Sequence, residues 1–247
     1  MMSHSLRSHM KFHQLTLLPS LLIFWAIVAI VMVLSILVNA MTDVSVGLMV
    51  SVTRDGRTEA VSVVAAAFIA VLIYTVVISL VTQPENFSFL IGLGSSRRAF
   101  FIAQVIAVTT VSMINGFVHS LAFALESIIL PLAGLQQLDY LQVYGFQLDF
   151  FTLAPLQGMV LMLVASVFMF IAAAFYRFRS RNALIALIAG VLFSLVLPRS
   201  LGVPPWRLFY QWLMDNATVG ELSWKLMLMT MFFWGLAWQV IKGTEAR

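Results

Sequence analysis

Six apolar segments leave this chain few folds to choose from: residues 17–38, 60–81, 101–125, 151–175, 183–197 and 224–241. A helix rises about 1.5 Å per residue and the hydrocarbon core of a bilayer is about 30 Å thick, so about 20 apolar residues make one crossing. The first four segments meet that length; the fifth and sixth are short and must draw on their flanks or neighbours. Only 10% of the residues are charged and 62% are hydrophobic, whereas a soluble domain carries about a quarter charged residues. The expected fold is an all-α, polytopic membrane protein with six transmembrane helices. The first segment is 22 residues long, beyond the about 7–15 of a signal-peptide apolar region, and reads as a retained anchor.

Basic residues set the expected orientation, because Lys and Arg gather on the cytoplasmic side. One side would hold the N-terminal tail, residues 83–100, residues 176–182 and the C-terminus, with nine basic and two acidic residues; the other holds five and eight. Both termini are thus expected in the cytoplasm. Residues 1–16 form either an interfacial helix, with Leu6, Met10 and Leu17 on one face, or a basic tail. Residues 17–247 form one membrane domain. Of the outer connections, residues 39–59 are small and polar with a turn at Arg54-Asp55-Gly56. Residues 127–150 carry Pro131, Gly134 and Gly145 and no Lys or Arg. Residues 199–222 place Pro204-Pro205 before Trp206, Phe209, Tyr210 and Trp212, which suits an aromatic anchor or a short re-entrant helix.

Several chemistries are excluded or unsupported. The chain has no cysteine, so disulfides, thiolate metal sites and cysteine nucleophiles are out. No phosphate-binding loop ends in Gly-Lys-Ser or Gly-Lys-Thr, and Gly92-Leu93-Gly94 is only a fragment of a dinucleotide fingerprint. His4, His9, His13 and His119 form no zinc-protease motif, and no paired intramembrane aspartates are present. The expectation is a protein that is not an enzyme, with no catalytic residues, no metal and no bound cofactor. Basic residues make no contiguous patch for nucleic acid.

Polar residues inside the apolar segments carry the remaining signal. Ser112, Asn115, His119 and Glu126 recur at spacings of three, four and seven, which places them on one face of the third helix. Desolvating these groups in lipid is costly, so the face should meet protein or a wet cavity. It either lines a substrate path or subunit interface, or binds helices together. Ala186, Gly190 and Ser194 recur every fourth residue on the fifth segment and allow close helix packing, within a subunit or across a dimer. Arg177, Arg179 and Arg181 suffice to fix topology at residues 176–182.

Residues 83–101, QPENFSFLIGLGSSRRAFF, join the second and third segments. Pro84 should stop the preceding helix. A short helix through Phe87, Phe89, Leu90 and Ile91 would end at Gly92 or Gly94, and Ser95 or Ser96 would cap the next helix. Arg97 and Arg98 then sit in a first turn, where cations oppose the helix dipole and need compensation from lipid phosphates or an acidic partner. The apolar cluster on this turn is expected to be exposed, docking into a partner or entering the membrane surface.

In this stretch FSFLIGLGSSRRAFF resembles the type-2 permease family of ABC transporters: aromatic and aliphatic residues, a glycine, Ser-Arg-Arg and a Phe pair. The six-segment layout is similar over the whole chain. The resemblance implies an ABC exporter subunit in a bacterial cytoplasmic membrane, surrounded by lipid and paired with a second permease subunit, identical or related. It implies docking to a separate cytoplasmic ATPase, which holds the ATP and Mg. Phe87, Phe89, Leu90, Ile91, Arg97 and Arg98 would be the coupling residues in the loop of residues 83–100. The rival readings are an ion-driven carrier with Asn115, His119 and Glu126 as its relay, and a non-transporting scaffold or sensor.

Overall fold

The computed structural model describes residues 11, 17–31, 33–34, 50–54, 57–92, 96–132, 150–201, 212 and 218–243. Of these, 50–54, 57–63, 65–66, 82–86, 88–89, 92 and 179–201 are described by their backbone alone. Five helices make up nearly all of it: α1 (Leu17–Val31), α2 (Val63–Gly92), α3 (Arg97–Leu132), α4 (Phe150–Leu201) and α5 (Val219–Lys242). Among the described residues, three stretches are long and apolar enough to cross a membrane: Arg97–Leu132, Phe150–Phe178 and Val219–Lys242. Leu17–Val31 and Ala67–Val81 are shorter apolar helices. Large apolar side chains cover the outside, among them Leu22, Ile73, Ile128 and Phe232. In water that surface would drive aggregation; in lipid it costs nothing, and the chain is a membrane protein on that ground.

The structure corrects the sequence reading in three places. First, the helical fold carries a short β-hairpin that the apolar pattern does not predict. Strands β1 (Val50–Arg54) and β2 (Arg57–Ser62) pair antiparallel, Arg54 opposite Arg57, with a register shift between Val52 and Thr53. Asp55-Gly56 joins them, and Asp-Gly between short alternating segments is the composition of a two-residue hairpin turn. The expected turn at Asp55-Gly56 itself lies outside the described residues; the strands were not expected, and α2 begins at Val63 rather than at residue 60.

Second, α2 does not stop at Pro84 but continues to Gly92. Proline removes one backbone N–H, yet its fixed φ is helical, and long helices tolerate it when the next turn is anchored elsewhere. Phe87 and Leu90, both buried, supply that anchor. Third, α4 runs through residues 176–182, where an inner loop was expected. Those seven residues contain neither glycine nor proline to break a helix.

Helix directions follow from the contacts. α3 runs against α2, with Phe100 beside Phe87 at one end and His119 on Val64 toward the other. α1 runs with α3: Trp25 reaches Asn115, and Val33 lies in one groove with Leu125 and Ile129. α4 and α5 are parallel, since Leu156 packs on Leu222 and Leu226, Met169 on Trp234, and Arg177 on Val240. Parallel neighbours need a return connection along the length of the bundle.

Reach makes the same point. From Leu201 eleven residues lead to Trp212, about 40 Å at full extension. The Trp212 carbonyl accepts a hydrogen bond from Lys225 Nζ at 2.7 Å, and Lys225 lies about 26 Å along α5 from its C-terminal end. A straight α4 would carry Leu201 about 35 Å past that end in the opposite direction.

Candidate functional site

Two groups of expected site residues can be compared with their surroundings: the polar face of α3 and the junction of α2 with α3. All four residues of the polar face, Ser112, Asn115, His119 and Glu126, are buried. Three of them are occupied in binding other helices. Trp25 Nε1 on α1 donates to Asn115 Oδ1 at 2.8 Å. His119 Nε2 lies 2.9 Å from the Val64 carbonyl in the first turn of α2, and the ring is tilted against Phe68 with centroids 5.0 Å apart. Glu126 Oε1 accepts from the Val64 N–H at 3.3 Å, placing a carboxylate at the N-terminus of α2, where the helix dipole favours negative charge. Val64 is thus held by both its backbone groups.

The fourth helix joins through Gln157. Its Oε1 lies 2.8 Å from His119 Nδ1 and accepts from the Ser120 hydroxyl at 2.9 Å. The Val64 carbonyl can only accept, so His119 Nε2 carries a proton. A neutral ring then needs a donor at Nδ1, which a half-turn of the Gln157 amide provides; with the amide oxygen in place, both ring nitrogens donate. Asn115 thus reaches α1, His119 reaches α2 and α4, and Glu126 reaches α2, the last two meeting on Val64.

Beside this polar contact α3 and α4 come together at a pair of glycines that sequence reading passed over. A Cβ on Gly116 would lie 2.4 Å from Gly158 N and 2.8 Å from the Ala154 carbonyl; one on Gly158 would lie 2.6 Å from Met113 Sδ. Gly116 has no room for a methyl group without a shift of backbone, and at Gly158 one would require the Met113 side chain to move. The signal was present as two glycines in apolar segments, but nothing local says that they face each other. The Ala186, Gly190 and Ser194 series that was singled out instead has side chains outside the described set.

At the junction, the expectation of an exposed apolar cluster is overturned. Phe87 and Leu90 are 2% and 6% exposed. They form one buried cluster with Phe100, Ala173 and Ile241, against which Ile91, Phe101, Tyr176 and Val240 pack. Phe87 meets Phe100 and Tyr176 edge-on at 5.3 and 5.2 Å. The Phe89 side chain lies outside the described set. The inner face of the junction is therefore filled by the chain's own α3, α4 and α5. The reason is helix continuity: once α2 runs on past Pro84, its apolar stripe keeps facing the bundle.

Ser96 caps α3 as expected, accepting from the Ala99 N–H through Oγ at 3.2 Å and from the Phe100 N–H through its carbonyl at 3.0 Å. Arg97 finds its compensation within the chain. Its Nη1 donates to the Lys242 carbonyl at the end of α5, at 2.8 Å. Arg98 is exposed. Four buried polar atoms have no partner among the described residues: Gln104 Nε2 and Oε1, Asn115 Nδ2 and Trp234 Nε1. No group of three or more His, Asp or Glu that could hold a metal occurs among the described residues.

Two cavities border these regions. One, about 360 Å³, is an apolar groove between α1 and α3 that ends beside Glu126. The other, about 470 Å³, lies between Leu80 on α2 and Ala172, Phe175 and Tyr176 on α4. No protein-family model, curated protein or solved structure matches this chain.

Proposed function

We propose that this chain is the membrane-spanning permease subunit of an ATP-driven exporter in a bacterial cytoplasmic membrane. In this reading it is not an enzyme; a separate ABC ATPase binds ATP and Mg and engages the cytoplasmic end of the bundle. A second permease subunit, identical or related, completes the translocation path. The observation that carries the reading is the junction of α2 with α3. A stretch that resembles the coupling region of type-2 ABC permeases is packed into one body with α4 and α5, while Arg98 stays exposed. Force applied there would reach three helices besides α2.

The topology fits this reading as six crossings with both termini in the cytoplasm. α1, α2, α3, α4 and α5 account for five, and the return connection demanded by parallel α4 and α5 is the sixth, where residues 183–197 supply the apolar segment. The junction, Arg177 and the end of α5 then share the cytoplasmic side, in agreement with the distribution of Lys and Arg. The ion-driven alternative is the weaker reading, since Asn115, His119 and Glu126 each bond to a neighbouring helix.

Co-purification with the ATPase tests the proposal. Phe89→Asp and Arg98→Glu are expected to abolish association while membrane insertion is retained. Arg97→Glu is a poorer choice, since it also breaks the contact with α5. Undiminished association and transport in both variants would defeat the proposal.

A further inference from the structure

The last turn of a helix leaves four carbonyl groups without intrahelical donors, which water or other donors must meet. In α5 these belong to Gln239, Val240, Ile241 and Lys242. Each is accounted for, and three of the four by arginines from other helices. Arg177 Nη1 on α4 lies 3.3 Å from both the Gln239 and the Val240 carbonyls. Arg97 Nη1, at the start of α3, donates to Lys242. The Gly243 N–H donates to Ile241. Cations at a helix C-terminus also meet the negative end of its dipole. The Arg177 guanidinium is laid flat enough against the chain that a Cβ on Gly243 would come within 3.0 Å of both its Nη atoms. Directly beneath, Ile241 belongs to the same buried cluster as Phe87, Leu90, Phe100 and Ala173.

We propose that Arg97 and Arg177 are positioning residues of a two-arginine clasp on the C-terminal turn of α5, which makes the adjoining ends of α2, α3, α4 and α5 move as one block. Charge sorting across a membrane would account for the presence of both arginines but not for their aim at successive carbonyls of one turn. The clasp ties residues 145 and 62 to 63 positions apart in sequence. A displacement at the junction of α2 and α3 would pass straight into α5, without travelling the length of α3. The inference stands on these contacts and not on the identity of any partner.

Hydrogen exchange on the full chain in lipid nanodiscs tests it. Arg97→Gln with Arg177→Gln is expected to speed exchange of the last-turn amides of α5 by about tenfold or more, as befits the loss of charge-assisted bonds. The same change should appear at residues 87–91 of α2. Arg97→Lys, which keeps one donor and the charge, should restore part of the protection; Arg98→Gln, on an exposed side chain, should change neither segment. Unchanged exchange at the end of α5 would overturn the clasp. Faster exchange at α5 with residues 87–91 unaffected would overturn the block. Should the double variant not assemble, the two single substitutions read the same amides, and the same two outcomes decide.

Discussion

The middle of α3 and its first turn both tie it to other helices through polar groups, and they do so differently. In the middle, uncharged side chains and one carboxylate reach across to α1, α2 and α4, and each helix is gripped at a single level: Trp25, Val64, Gln157. At the first turn, two guanidinium groups take backbone carbonyls of α5, over a floor of aromatic rings. The middle is buried, and its bonds run between groups of the chain itself. The Arg97 end is half-exposed, so water, lipid phosphate or a partner can compete for its arginines. A bundle intended to move at one end and hold at the other would be built this way.

The largest expected effect is in the middle of α3. Gly116→Leu should cost about 3 kcal/mol or more, since it drives a side chain into the facing backbone of Ala154 and Gly158. Thermal unfolding in detergent checks this, and an unchanged Tm would mean that the two helices are not in backbone contact. Next come His119→Leu and Gln157→Leu, each expected to cost about 1–2 kcal/mol by leaving a buried partner unpaired. The double variant should cost less than their sum; simple additivity would show that the two residues do not share a bond. Ser96→Ala removes the cap of α3 and should cost about 1 kcal/mol, read by the same method. Smallest is Arg98→Gln, within about 0.5 kcal/mol of zero, although under the proposed function it weakens partner binding. A large loss of stability there would erase the distinction between the two regions.

What could be read from sequence was local. Spacings of three and four put Ser112, Asn115, His119 and Glu126 on one buried face, and Ser96 announced the start of α3, because both signals lie within a few turns. The hairpin was half legible: Asp55-Gly56 marked the turn, but its strands are too short to stand out beside apolar segments that read equally well as helix. Pro84 misled because a breaker rule that holds for an isolated helix yields to the packing of Phe87 and Leu90. The glycine crossing and the clasp were out of reach. Gly116 and Gly158 are 42 positions apart and Arg97 and Lys242 are 145, and no local pattern says which distant backbone a glycine or an arginine will meet.

Because the chain contains no cysteine, one substitution tests the central claim most directly. Arg98→Cys is to be probed with a membrane-impermeant thiol reagent on intact cells, on inside-out vesicles and on inside-out vesicles stripped of peripheral proteins. The account predicts no labelling from outside, weak labelling in native inside-out vesicles and strong labelling once the bound ATPase is removed. Labelling from outside the cell, or labelling that stripping leaves unchanged, would contradict it.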